Sequence, residues 1–303
     1  MREFFKNLYY NTNFGRKLIH PFLLIRNTIL PEEVLLKNRF KRMLGYKLNL
    51  INPKTYNEKL QWLKLNDRSD LHVKCADKYL VREHIKEKIG EKYLIPLIYE
   101  TKNPDLIQPE NLPSYPIIIK TNHDSGGVKI IWDKNKVDWT KLRKKLKKNL
   151  KYKYAGGKVE WQYENIEPRL VIEKVLIDET GNIPSDFKIH CMNGKPIFVQ
   201  VDIDRSKNHK RNLYDLNWKL IPCKWRYKNG GPVKRPSALN KMLEIAEKLA
   251  EDFICVRVDL YTVMGEIYFG ELTFHSESGF AKFNPENWDY EFGKHLRLPI
   301  STD

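Results

Sequence analysis

Two periodicities divide the chain. Apolar residues recur at helical spacing over 55–67, 71–89, 139–153 and 237–251, whereas alternation by two marks 95–99, 117–119, 128–132 and 169–176. Thr55 with Glu58 three residues on is a capping-box signature and predicts a helix start after Asn52-Pro53. The next helix is predicted over Leu71 to Ile89, stopped by Gly90, with Lys78 and Arg82 one turn apart on one face. Further on, SDFKIHCMNGKPIFVQVDIDR alternates as two strands about Asn193-Gly194, and HKRNLYDLNWKLIP supplies another short strand with Arg211 and Asn212 at its start. The stretch from Ile254 to Gly279 is predicted to be a hairpin turning near Val263 to Gly265. Helices, strand–loop–strand, helix, sheet, helix and hairpin in that order make a mixed α+β chain of two lobes.

Polar residues set inside these apolar strands are the candidates for chemistry. Asp259 and Glu271 interrupt the two hairpin strands at positions that converge on one face, and unpaired carboxylates there are costly to bury. Mg²⁺, held by one or two carboxylates plus nucleotide phosphates, answers that cost; an ion pair with Arg257 answers it equally well. The segment PIIIKTNHDSGGVKIIW delivers Lys120 to a loop containing Ser125, Gly126 and Gly127, a cation, a hydroxyl and glycines suited to gripping phosphate. Asp186 and Lys188 share one face of their strand, and Asp202 and Asp204, a D-x-D, share a face of the next.

Composition narrows the partners. Among 303 residues there are 54 Lys and Arg against 38 Asp and Glu, a net charge of +16, which calls for an anionic partner. The four cysteines, Cys75, Cys191, Cys223 and Cys255, stand far apart, signalling neither a zinc site nor a disulfide framework. There is no run of eighteen apolar residues and no secretory pattern at the start, so a cytoplasmic chain is expected. Its first fifty residues nonetheless combine ten Lys and Arg with many Phe, Leu and Ile, either a helical arm packed on the body or a peripheral contact with an anionic membrane at its inner face. The lysine-rich segment from Trp139 to Lys153 is a solvated helix face, and nucleic acid is not an expected partner.

The segments NPKTYNEKLQWLKLND, ADKYLVREHI, IIIKTNHDSGG, EWQYENIEPRLVIEKVL, SDFKIHCMNGKP, HKRNLYDLNW and RVDLYTVMGEIYFGELTF, in this order from about Asn52 to Pro299, together resemble the TupA-like branch of the ATP-grasp superfamily, associated with teichuronopeptide and other surface polysaccharides. The resemblance implies two α+β lobes clamping a nucleotide: a helical arm over 1–52, an N-terminal lobe over 53–176 and a C-terminal lobe over 177–303. It implies ATP and Mg²⁺. Lys78 and Lys120 would meet phosphate oxygens under the loop of Ser125, Gly126 and Gly127. Lys174 and Leu176 would meet adenine through their backbones, with Glu173 a partner for ribose or lysine. Lys188 and Arg211 would face the transferred phosphate, and Asp259 and Glu271 would hold the metal. Many relatives carry E-x-N at the second carboxylate; here Thr273 stands in place of the Asn as the metal's third and weaker ligand, and His275 and Glu277 follow where a small-residue turn is the pattern. The implied reaction is a carboxylate–amine ligation through an acylphosphate, on an acidic glycan or its nucleotide- or lipid-linked precursor, with an amine as second substrate. A polysaccharide kinase and a glycosyltransferase using Asp202 and Asp204 are the alternatives.

Overall fold

The computed structural model describes residues 29–124, 127–151, 159–205 and 207–300. Its elements are α1 (Glu32–Leu44), α2 (Tyr56–Asn66), α3 (Asp70–Ala76), α4 (Val81–Lys88), β1 (Leu97–Thr101), β2 (Ile117–Thr121), β3 (Val128–Ile131), α5 (Trp139–Leu150), β4 (Leu170–Lys174), β5 (Asp186–Met192), β6 (Lys195–Ile203), β7 (Lys210–Tyr214), β8 (Lys224–Trp225), α6 (Leu239–Ala250), β9 (Cys255–Val263), β10 (Glu266–Thr273), β11 (Phe283–Asn284) and α7 (Asn287–His295).

Antiparallel pairing builds a four-stranded sheet in the order β1-β4-β2-β3, a five-stranded sheet in the order β10-β9-β5-β6-β7, and a small pair, β11-β8. Alternation then sorts side chains by face. In the first sheet Ile117, Ile119, Leu170 and Ile172 pack with Leu142 and Leu146 of α5, which leaves Lys120 and Glu173 on the opposite face. In the second, Phe187, Ile189, Val199, Val201, Val258 and Leu260 pack on Met242, Ile245, Ala246 and Leu249 of α6. Its other face carries Lys188 opposite Asp259, Asp259 opposite Glu271, and Asp202 opposite Arg211. Each sheet thus keeps a helix on one side and displays charge on the other.

The capping box forms as predicted: Thr55 Oγ1 accepts from Glu58 N at 3.1 Å and Glu58 Oε2 accepts from Thr55 N at 3.1 Å. The hairpins at Asn193-Gly194 and Met264-Gly265 also form, each with both central residues at positive φ (48° and 79°, 51° and 82°). Three expectations are corrected. The helix over Leu71 to Ile89 is broken into α3 and α4, because the Asp77 carboxylate accepts from Tyr79 N at 2.8 Å and Leu80 N at 3.3 Å and holds residues 77–80 in a turn between them. Lys78 therefore lies in the turn between them and not one helical turn below Arg82. The first strand runs two residues later than Ile95 to Tyr99. Asp204 falls beyond the end of β6 with φ 50° and points into solvent, so it shares no face with buried Asp202.

Of the N-terminal arm, 1–28 lies outside the described residues. The part described, α1, packs Leu36, Phe40 and Leu44 with Val159 and Phe280 of the body. Among the described residues no helix is long and apolar enough to cross a membrane.

Candidate active site

Beside the hairpin of β9 and β10 opens a cleft of about 1070 Å³, whose lining includes Lys78, Asp124, Arg257, Glu271, Thr273 and Glu277. Asp259 and Glu271 meet there through an irregularity in the hairpin. From the turn the register runs Glu266 opposite Val263 to Phe269 opposite Leu260, and then skips Gly270 so that Glu271 faces Asp259. Without that bulge Glu271 would stand opposite Val258 and point to the helix-covered face. Only glycine serves at the skipped position: a Cβ there would lie 3.0 Å from the Asp259 carbonyl oxygen and 2.9 Å from the Tyr261 ring.

The two carboxylates share one cation. Arg257 binds Asp259 through Nε (2.6 Å) and Nη2 (2.7 Å), and the same Nη2 reaches Glu271 Oε1 at 2.7 Å. Thr273 donates to that Glu271 oxygen at 3.1 Å. Burial pushes the Asp259 carboxyl up to about 6, with Arg257 and Lys188 pulling the other way. For Glu271 the upward push of burial is outweighed by Arg257, Lys78 and Lys188, which hold it below its ordinary value. Lys188, 3% exposed, contacts Asp186 and lies 3.7 Å from both Asp202 and Asp259. Arg211 is fixed by Asp202 (2.7 Å) and by Glu277 (2.8 Å).

On the first sheet Lys120 pairs with Glu173 at 2.7 Å, and Glu173 also takes Arg82 at 2.9 Å. Lys78 donates to the Asp124 carbonyl; burial lowers its pKa and Lys120 adds to that, while Glu271 and Asp124 oppose it. Lys78 is thus the group that feels both sheets. Gly127 donates to Asp124 Oδ1 at 3.2 Å and leaves no room for a Cβ against Thr121. Ser125 and Gly126 lie outside the described residues. At the other end of β4, the amides of Lys174 and Val175 go to the carbonyls of Pro96 and Pro116 at 3.1 Å each, so the Lys174 N–H is spent inside the fold; Leu176 follows, partly exposed.

Two functions were not legible in sequence. Asp124 organises the glycine loop, and Lys64, 0% exposed, supports the 275–279 turn by donating to Ser278 O at 2.8 Å. An acid directly before Ser-Gly-Gly is a usable signal for the first. Nothing marks Lys64, which sits among ordinary helix lysines.

A sequence profile of the TupA-like ATP-grasp family matches residues 58–297. The chain belongs to the TupA-like ATP-grasp family. No curated protein sequence matches it. Among solved structures it is similar to the D-alanine–D-alanine ligase of Bacillus anthracis (18% identity over 66% of this chain and 57% of that one, TM-score 0.41). It is similar too to the D-alanine–D-alanine ligase of Helicobacter pylori (14%, 82% and 68%, 0.43). A third is the ATP-grasp ligase PsnB with a phosphomimetic precursor variant, Mg and ADP (10%, 79% and 65%, 0.42). The chain spans a little over half the length of the Bacillus anthracis protein.

In this ATP-grasp chain the donor set fits Mg²⁺. Asp259 and Glu271 already place oxygens 2.7 Å from one positively charged nitrogen. Among the described residues no group of three or more His, Cys, Asp or Glu is arranged to hold a metal alone. Two carboxylates with phosphate oxygens completing the shell is the arrangement these residues allow, with the Thr273 hydroxyl beside them.

Proposed function

We propose that the chain is an ATP-dependent carboxylate–amine ligase acting in the cytoplasm on an acidic surface polysaccharide or its precursor. The observation that carries this reading is the Gly270 bulge, which turns Glu271 onto the face of Asp259, in the cleft that Lys78 also lines. A carboxylate oxygen of the acceptor attacks the γ-phosphorus of ATP, the bond from that phosphorus to the β-bridging oxygen breaks, and ADP leaves. The amine nitrogen then attacks the acyl carbon, inorganic phosphate departs, and the nitrogen gives up a proton.

Phosphoryl transfer asks chiefly for positioning and charge neutralisation. Lys78 and Lys120 bind phosphate oxygens, and Glu173 with Arg82 keeps Lys120 aimed. Arg211, locked by Asp202 and Glu277, steadies the phosphoryl group in flight, with Lys188 behind it. Mg²⁺ held by Asp259 and Glu271, with Thr273 adjacent, would supply the remaining neutralisation. The backbone of Lys174 and Leu176 meets adenine, the Lys174 contribution being its carbonyl. A phosphate-covering role for the loop of Ser125, Gly126 and Gly127 would keep water from the acylphosphate. The +16 charge supports an acidic acceptor.

Lys120→Ala and Glu271→Gln should each lower ADP release by about a hundredfold or more with circular dichroism unchanged, the size of effect seen when one preorganised charge is removed. Near-normal release in both variants contradicts the site.

A further inference from the structure

Past Glu271 the cleft opens onto a wall that nucleotide binding leaves without a task. It is built on β8 and β11, the small two-stranded pair. Trp225 and Phe283 face inward and stack at 4.9 Å, so strand alternation turns Lys224, Arg226 and Lys282 outward. Lys228 follows, and Arg39 of α1 closes the side, giving five cations against the carboxylates of Glu160, Glu277 and Glu286.

Three features set this wall apart from an ordinary solvated surface. Arg226 and Lys282, like charges, flank the two short strands and are joined by a backbone bond of 3.3 Å, with Glu277 bonded to the first of them. Arg226 also sits at φ 64° in a three-residue turn closed by Tyr227 N to Trp225 O at 2.7 Å, a strained conformation for a residue with a side chain. Its guanidinium reaches Glu277, whose own backbone lies at φ 51°. Lys224, Lys228 and Lys282, in contrast, have no carboxylate partner among the described residues.

We propose that this wall is the acceptor subsite, binding a glycan that carries a carboxylate on successive units. Its role in catalysis rests on the ligase reading; its binding does not. Lys224, Arg226, Lys228 and Lys282 line one cleft, so a chain with one charge per unit meets several cations at once, which a single small acid cannot do. Nucleic acid fits less well. The wall offers no open aromatic face for a base, since Trp225 and Phe283 are buried and Tyr227 is covered by His209 at 3.8 Å and by Arg211 at 4.9 Å.

The test is fluorescence anisotropy on the full chain with labelled oligogalacturonate, its methyl ester as the uncharged comparison, and single-stranded DNA of equal charge. Lys224→Glu/Lys228→Glu/Lys282→Glu should weaken oligogalacturonate binding by about tenfold or more, from three lost surface contacts and their reversal, with ADP affinity held. The ester should bind as weakly to the native chain as the free acid does to the variant. Unchanged oligogalacturonate affinity in the variant, or tighter binding of DNA than of oligogalacturonate, overturns the subsite. Should the triple variant lose ADP affinity, Lys282→Gln decides by the same two criteria. Amine-independent ADP release would overturn the ligase while leaving this binding result standing.

Discussion

Asp289, at the start of α7, shows how much a single buried carboxyl contributes outside the active site. It accepts from Asn57 N at 2.9 Å and from Asn57 Nδ2 at 2.8 Å, tying the C-terminal helix to α2. Burial raises its pKa from 3.8 to about 6 against those bonds. Between those values the folded protein keeps a proton that the unfolded chain has released, so stability falls as pH rises through the window, by about 3 kcal/mol for this group alone. Urea titrations from pH 4 to pH 7 should show that loss, and Asp289→Asn should flatten it; an equal slope in both proteins contradicts the assignment. At this scale the sequence was partly legible. Asp259, Glu271 and Arg257 are visible as charges inside apolar strands; the ion pair with Arg257 is the reading the structure contains, since Arg257 bridges both carboxylates, and the metal stays with the proposed function. Lys64 and Asp289 were not legible, because burial of a polar side chain depends on contacts more than 200 residues away in sequence.

At the scale of elements, periodicity recovered most helices and strands, and its failures have local causes. The predicted helix over Leu71 to Ile89 carries unbroken apolar spacing, yet the Asp77 carboxylate holds a turn in its middle through Tyr79 N and accepts from Asn122 Nδ2 at 2.9 Å. That second bond belongs to the glycine-loop region and cannot be read locally. The hairpin of β9 and β10 was predicted correctly as a turn, but its bulge was not. Gly270 is the only sign of it, and a lone glycine in a strand is compatible with several outcomes. Gly270→Val should force the bulge to rearrange, with a stability loss of about 1–3 kcal/mol and loss of Mg²⁺-dependent nucleotide binding. Isothermal titration with ADP, with and without Mg²⁺, reads this; retained Mg²⁺ dependence in the variant would separate the bulge from the site.

For the whole molecule, two antiparallel sheets are each backed by a helix and carry charge on the opposite face, and Lys78, which lines the cleft with Glu271, feels Lys120 of the first sheet and Glu271 of the second. This α+β arrangement was legible because the strands alternate cleanly, Asp186, Lys188 and His190 on one side of β5 and Phe187, Ile189 and Cys191 on the other. The acceptor side was not, because β8 and β11 are two residues each and fall below the length at which a period can be seen. What separates the proposed ligase from a kinase is that its phosphate transfer is coupled to an amine. The direct measurement is ADP release by the purified chain with Mg²⁺, an acidic oligosaccharide labelled with ¹⁸O in its carboxylates, and an amine. ADP should appear only with all three present, and one ¹⁸O per turnover should pass into inorganic phosphate. ADP release at the same rate without amine, with the label kept in the glycan, would contradict the ligase and mark the chain as a kinase.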